Sequence, residues 1–221
     1  MVESEIRRFD RGALAIASLV WRLSVPMRVA STAPVGGGIG LRQWVLNVQV
    51  PTGYARRDIH AHIAEIGQTL GLSGAGVGML TAAAVTRGLV ADEEGVRVEA
   101  TVGLSHPVWA AAPAGPPEDA PHVAAGAGTG RPGTINVVAF VAARHSDAAL
   151  ANLLCTVTEA KAQALGDGGI PGTGTASDAV TVICPAGGGP TEPFGGPRST
   201  YGAPIARAVY AALRAGIGSS G

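Results

Sequence analysis

The stretch from Ser146 to Gly169 constrains this chain more than any other. Ser146 and Asp147 supply a helix N-cap, Leu150, Leu153, Leu154, Val157, Ala164 and Leu165 recur at helical spacing, and Gly166-Asp167-Gly168-Gly169 ends the pattern. At about 100° per residue, Asn152, Glu159 and Gln163 fall on the opposite, solvated side. Lys161 projects between Leu150, Leu154, Val157 and Leu165, inside the apolar stripe, with Thr158 as its i−3 neighbour. It is also the only lysine of a chain that otherwise carries its positive charge on arginine. A lysine on a buried face is paired, loses its proton, or points into a cavity that holds a ligand. A guanidinium cannot make the second choice, so position 161 is the first candidate for chemistry.

The rest of the chain must supply something for that helix to cover. Apolar or alternating runs predict strands at about 13–20, 25–31, 43–50, 96–104, 134–142 and 178–184, and helical patterns predict helices near 58–70, 147–165 and 202–215. The early strands bunch before the first helix, which favours an α+β fold with a mixed sheet over an α/β doubly wound repeat. The Ala-, Gly- and Pro-rich text between Ala110 and Gly133 has no period and little to bury, and reads as a flexible loop. Neither half looks self-sufficient, so the expectation is a single domain over 1–215 with that loop at about 110–133 and a frayed tail at 216–221.

With 47% hydrophobic and 14% charged residues and sixteen charges of each sign, the chain is expected to be compact, without the basic face that nucleic acid requires. Its apolar stretch from Gly12 to Trp21 is too short for a membrane span and wrongly flanked for a signal peptide. Cys155 and Cys184 read as small buried hydrophobes rather than a disulfide framework, and a cytoplasmic protein is expected. Neither nucleic acid nor membrane is expected as a partner; a homo-oligomer stays open.

Several further motifs carry groups capable of chemistry. Gly36-Gly37-Gly38-Ile39-Gly40 and Gly74-Ala75-Gly76-Val77-Gly78 lack the context of a dinucleotide site or a P-loop, and read as tight turns or as walls beside a bulky ligand. His60 and His62 sit two apart on a predicted helix, diverging by about 200°, so they do not share a metal, and no metal site is expected. His106 follows a strand end, where catalytic groups often lie. Gly172-Thr173-Gly174-Thr175-Ala176-Ser177-Asp178 concentrates hydroxyls, a carboxylate and flexible backbone at a strand entrance. The alternative there is a glycine turn capped by Asp178. Arg198 and its neighbouring hydroxyls stand at the start of the last helix, where oxyanions are attracted.

In order, Asn47-Val48-Gln49-Val50-Pro51, Gly78-Met79-Leu80-Thr81-Ala82-Ala83, Thr101 to Pro107, Pro132 to Asn136, Ser146 to Leu150, Thr158-Glu159-Ala160-Lys161, Thr173 to Asp178 and Phe194 to Ser199 resemble the adenosylcobinamide amidohydrolase family of cobalamin salvage, over about Ser31 to Leu213. Two positions depart from the family pattern: Ser177 stands where it has threonine, and His145 where it has an apolar residue. The resemblance implies hydrolysis of the amide that joins aminopropanol to a corrinoid side chain, with no cofactor beyond the cobalt of the substrate itself. Lys161 is then the expected base and acid, Thr173, Thr175 or Ser177 attacks or positions water, and Asp178 orients that partner, with Glu159 a further catalytic candidate. Asn47, Thr81, His106, Asn136, Thr158, Gly174, Ser177 and Arg198 are expected to contact substrate. A corrinoid binder without catalysis, or a hydrolase of some other amide, is the rival reading.

Overall fold

Strands rich in valine form the framework of the chain, and in the computed structural model, which describes residues 4–11, 14–112 and 133–218, eight of them form one mixed sheet. In chain order the elements are β1 (Glu5–Arg11), β2 (Leu14–Ser31), β3 (Gly38–Gln49), α1 (Ile59–Thr69), β4 (Gly76–Thr81), a 3-10 turn (Val85–Arg87), β5 (Leu89–Glu93), β6 (Val96–Val102), β7 (Ile135–Val141), β8 (Arg144–His145), α2 (Asp147–Asp167), β9 (Ala179–Cys184), β10 (Thr191–Glu192) and α3 (Gly202–Gly218). The sheet order is β4-β3-β2-β9-β7-β6-β5, with β1 antiparallel to β2, and the short β8 and β10 pair separately. β3 with β4 and β7 with β9 are parallel, while the other pairs in the main sheet are antiparallel. The α+β expectation holds, and strands from both sides of residues 113–132 share one sheet.

The sheet curls. Val45 of β3, Val77 and Met79 of β4, Val138 and Phe140 of β7 and Ile183 of β9 share one apolar cluster, although β3 and β4 are not neighbours of β7 in the strand order. Side chains alternate across a strand, so Ile135, Val137, Ala139 and Val141 of β7 point the other way, into the layer formed with α2 and α3. Leu46 and Val48 of β3 likewise meet Ile63 and Ile66 of α1. All three helices therefore cover the convex face, and the concave face closes on itself.

Three expectations need correction. The runs at 13–20 and 25–31 fall in one strand, β2, whose five steps from Arg22 to Met27 face two steps on β3, so the break expected between residues 20 and 25 is absorbed as an irregularity in the ladder. β1, β4 and β5 were not foreseen. β4 runs through the second glycine stretch, because Gly76 lies against the Trp44 indole and Gly78 against Ile63, where any Cβ would collide. β5 and β6 form a hairpin turned by Glu94 and Gly95, both with positive φ. α3 continues to Gly218 with Gly216 buried, past the predicted helix end at 215; residues 219–221 and the bulk of the expected loop, 113–132, lie outside the described residues.

Two features of the α2 region carry predictions. Gly195 packs its backbone on α2: its N–H donates to Asn152 Oδ1 at 3.3 Å and its carbonyl accepts from Thr156 Oγ1 at 2.8 Å. A Cβ there would run into the Ala149 carbonyl and lie 2.9 Å from the Leu153 nitrogen, both rigid backbone. Gly195→Ala should therefore cost about 1–3 kcal/mol, measured as a lower urea midpoint with unchanged slope. His145, buried just before the α2 N-cap, donates from Nδ1 to the Ala143 carbonyl at 2.8 Å and packs edge-on to Tyr201, while Nε2 has no partner among the described residues. Burial pushes its pKa below the ordinary 6.5, outweighing the Ala143 carbonyl and Glu192. Below pH 6.5 the unfolded chain then binds the proton more readily, so this stability is present above 6.5 and is lost as pH falls through it. Urea melts at pH 8 and pH 5 should show a smaller loss in His145→Gln than in the parent chain.

Candidate active site

Asp178 stands at the entrance to β9, and its carboxylate collects donors from three parts of the chain. Oδ1 accepts from the Ile135 N–H at 2.8 Å and from Thr175 Oγ1 at 2.5 Å; Oδ2 accepts from the Thr175 N–H at 2.9 Å and from Lys161 Nζ. The Lys161 and Asp178 side chains are 8% and 9% exposed. Of the three fates open to a lysine on an apolar face, the fold realises pairing. The stripe around it is Leu150, Leu153, Val157, Ala160, Ala164 and Leu165, with Leu154 only half-buried, and Ser146 caps α2 by accepting from the Ala149 N–H at 3.1 Å.

The glycines of the 172–178 turn are needed for close approach. A Cβ on Gly174 would run into Lys161 Nζ and stand 2.5 Å from Asp178 Oδ2, and one on Gly172 would stand 2.9 Å from the nitrogen and oxygen of Val108. Main-chain bonds from Val108 N–H to the Gly174 carbonyl and from Thr173 N–H to the Val108 carbonyl, both 2.8 Å, fasten the turn to the segment after β6. Thr173 Oγ1 accepts from the Ala110 N–H at 3.0 Å, so that hydroxyl holds backbone and does not join the Asp178 cluster. Ser177 is exposed and its Oγ lies 2.7 Å from Thr134 Oγ1.

A second polar group lies on the concave side of the same strands. Asn136 Nδ2 donates to Asn47 Oδ1 at 2.9 Å and to the Leu80 carbonyl at 3.0 Å, and Asn47 Nδ2 donates to Thr101 Oγ1 at 3.0 Å. Asn136 Oδ1 is buried without a partner among the described residues. Thr81 Oγ1 accepts from the Ala83 N–H at 3.0 Å. The two groups meet through consecutive residues, because Ile135 binds Asp178 and Asn136 binds Asn47.

Lys161, Asp178, Thr175 and Gly174 are thus in contact, with Ser177 and Thr173 flanking them and Asn47 and Asn136 joined to each other. Glu159 and Thr158 lie on the exposed side of α2, the latter bonded to the Leu154 carbonyl at 2.9 Å. Arg198 is exposed in the loop before α3, where Ser199 Oγ accepts from the Gly202 N–H at 3.1 Å and serves as a helix cap. His106 is half-buried on the segment after β6. Thr134, Ile135 and Thr101 were not among the expected site residues; a backbone donor has no side-chain signature, and Thr101 and Thr134 bear ordinary strand residues. His60 is exposed, whereas His62 is buried, with Nδ1 2.6 Å from the Tyr54 hydroxyl. Among the described residues, no three His, Cys, Asp or Glu gather to hold a metal, and no helix is long and apolar enough to cross a membrane.

Comparison with known proteins adds an independent finding. The family model described as adenosylcobinamide amidohydrolase matches residues 4–220. An adenosylcobinamide amidohydrolase of Halobacterium salinarum is 39% identical over 142 residues, 64% of this chain and 58% of that protein. One of Methanosarcina mazei is 28% identical over 196 residues, 85% of this chain and 89% of that protein. The chain therefore aligns with somewhat over half the length of the first relative and nearly all of the second.

The hub geometry predicts an asymmetry between its two charged members. Lys161→Met leaves the Asp178 carboxylate three donors, whereas Asp178→Ala strands an amine, two backbone N–H groups and a hydroxyl. Asp178→Ala should cost about 3–5 kcal/mol and Lys161→Met distinctly less, read from urea denaturation. Equal costs would remove the carboxylate from its place as the hub.

Proposed function

The chain belongs to the adenosylcobinamide amidohydrolase family, and from that premise we propose that it hydrolyses the amide between aminopropanol and the corrinoid side chain of adenosylcobinamide, releasing adenosylcobyric acid and 1-amino-2-propanol. The observation that carries this reading is the buried contact of Lys161, Asp178 and Thr175 inside the matched region. The corrinoid is the substrate, and no resident cofactor is invoked. A reducing, cytoplasmic setting accords with the two free cysteines, of which Cys184 is buried as expected and Cys155, on the outer side of α2, is exposed.

Amide hydrolysis requires a nucleophile, donors for the tetrahedral oxyanion, and a proton for an alkylamine that cannot leave as an anion. In the proposal, Lys161 first passes a proton to Asp178; water then adds to the carbonyl carbon, its proton passes to the freed Lys161 amine, and Lys161 protonates the nitrogen as the C–N bond breaks. Asp178 holds that amine in place and at the same time orients the Thr175 hydroxyl, which positions the attacking water. The N–H groups of Gly172, Thr173 and Thr175 are engaged with Ile170, Val108 and Asp178, so the oxyanion donors are drawn from Gly174 and Ala176. Asn47 and Asn136 supply further polar contacts at the ends of their strands. Glu159, Thr158 and Arg198 lie outside this scheme.

The direct test incubates the protein with adenosylcobinamide and assays free aminopropanol and adenosylcobyric acid. Lys161→Met should fold, bind corrinoid and lose on the order of 10²–10⁴-fold in kcat. Thr175→Val should lose far more rate than Ser177→Ala. Normal turnover in Lys161→Met would remove the lysine from the chemistry, and corrinoid binding by the parent chain without amine release would make it a carrier.

A further inference from the structure

We propose that Trp109, together with Val108, is the surface on which the flat macrocycle of the substrate rests while its amide reaches Lys161 and Asp178; this rests on the amidohydrolase reading of the site. The reacting cluster opens only a small window to solvent, since its two charged side chains are 8% and 9% exposed. A corrinoid is far larger than that window, so nearly all of its contacts fall on the surface around it. Binding such remote, non-reacting parts is how an enzyme holds a small scissile group in place.

The adjoining surface is apolar where one would expect solvent-facing polarity. Val108 is 40% exposed and Trp109 56% exposed. Val108 is bridged to Gly174, whose other side abuts Lys161 and Asp178, so the indole belongs to the residue next to that bridge. The other two tryptophans are used internally: Trp21 is buried, and the Trp44 indole N–H donates to the Gly74 carbonyl at 3.2 Å. The segment that bears Trp109 is fixed, because Thr173 bonds both sides of it, at Val108 and Ala110, and the Ala112 N–H closes onto the Trp109 carbonyl at 3.0 Å. A rigid, exposed aromatic face costs little conformational entropy to use, which suits it to a flat conjugated ligand. Phe194, the other strongly exposed aromatic among the described side chains, is not equivalent: it precedes Gly195, which packs at Ala149 and Leu153, and Leu153 is already about 12 Å along the helix axis from Lys161. Thr173 thereby becomes a positioning residue that anchors the indole's segment.

The test measures KM, kcat and equilibrium binding for Trp109→Ala and Trp109→Phe, with adenosylcobinamide and with cobinamide lacking the adenosyl group. Trp109→Ala should raise KM and Kd about tenfold for both corrinoids with kcat within about twofold, and Trp109→Phe should recover most of the loss. Unchanged KM and Kd in Trp109→Ala would overturn the contact while leaving the hydrolysis intact. A loss confined to the adenosylated form would assign the indole to adenine and overturn the macrocycle contact. If the parent chain binds both corrinoids without releasing amine and Trp109→Ala still weakens binding, the hydrolytic reading fails and the contact stands. A parent chain that neither binds nor cleaves either compound overturns both.

Discussion

The Asp178 carboxylate accepts four hydrogen bonds from α2, from the first residue of β7 and from its own turn, and the organisation of the site follows from that convergence. A buried carboxylate is costly unless its lone pairs are satisfied. Satisfying them here requires the 172–178 turn to fold tightly enough for Thr175 to reach back three residues, and α2 to lie close enough for its single amine to reach β9. The same carboxylate that steadies the entrance to β9 therefore fixes where Lys161 stands, so structural and chemical demands act on one group.

Close approach at glycine makes that convergence possible. Gly174 admits the Lys161 amine, Gly172 admits the Val108 backbone, and Gly195 lets the loop before α3 lie on α2. The glycine stretches that read as walls beside a ligand serve a related purpose elsewhere. Gly76 and Gly78 make room for Trp44 and Ile63, and Gly36, at positive φ, sits against the Gly76 carbonyl. These contacts are between parts distant in sequence, so a glycine-rich stretch by itself announces tight packing without saying against what.

Much of the framework was legible in the residues. The helical spacing of Leu150, Leu153 and Val157 located α2, and the valine-rich runs located β6, β7 and β9 to within a few residues, because burial imposes a period of about 3.6 or 2 on apolar positions. Lys161 and Asp178 stood out as candidates for local reasons, one as the sole lysine and one as the carboxylate closing a glycine turn. β4 was not legible, since glycine at Gly76 and Gly78 erases the alternation that marks a strand. β2 read as two strands because Arg22 and Ser24 interrupt the apolar run between 20 and 25, and nothing local says that the ladder resumes beyond them.

What the sequence determined by itself is which face of each element is apolar, hence the α+β architecture and the placement of an amine inside a buried stripe. Which partner that amine meets was decided only by tertiary structure. Lys161 and Asp178 are joined because β9 enters the sheet beside β7 beneath α2, and the Ile135 N–H completes the carboxylate from a third segment. Likewise Asn47 and Asn136 meet only because the sheet curls. Periodicity reports how a residue sits relative to its own helix or strand; a contact between elements depends on the strand order and curvature that bring them together, and no local pattern encodes those.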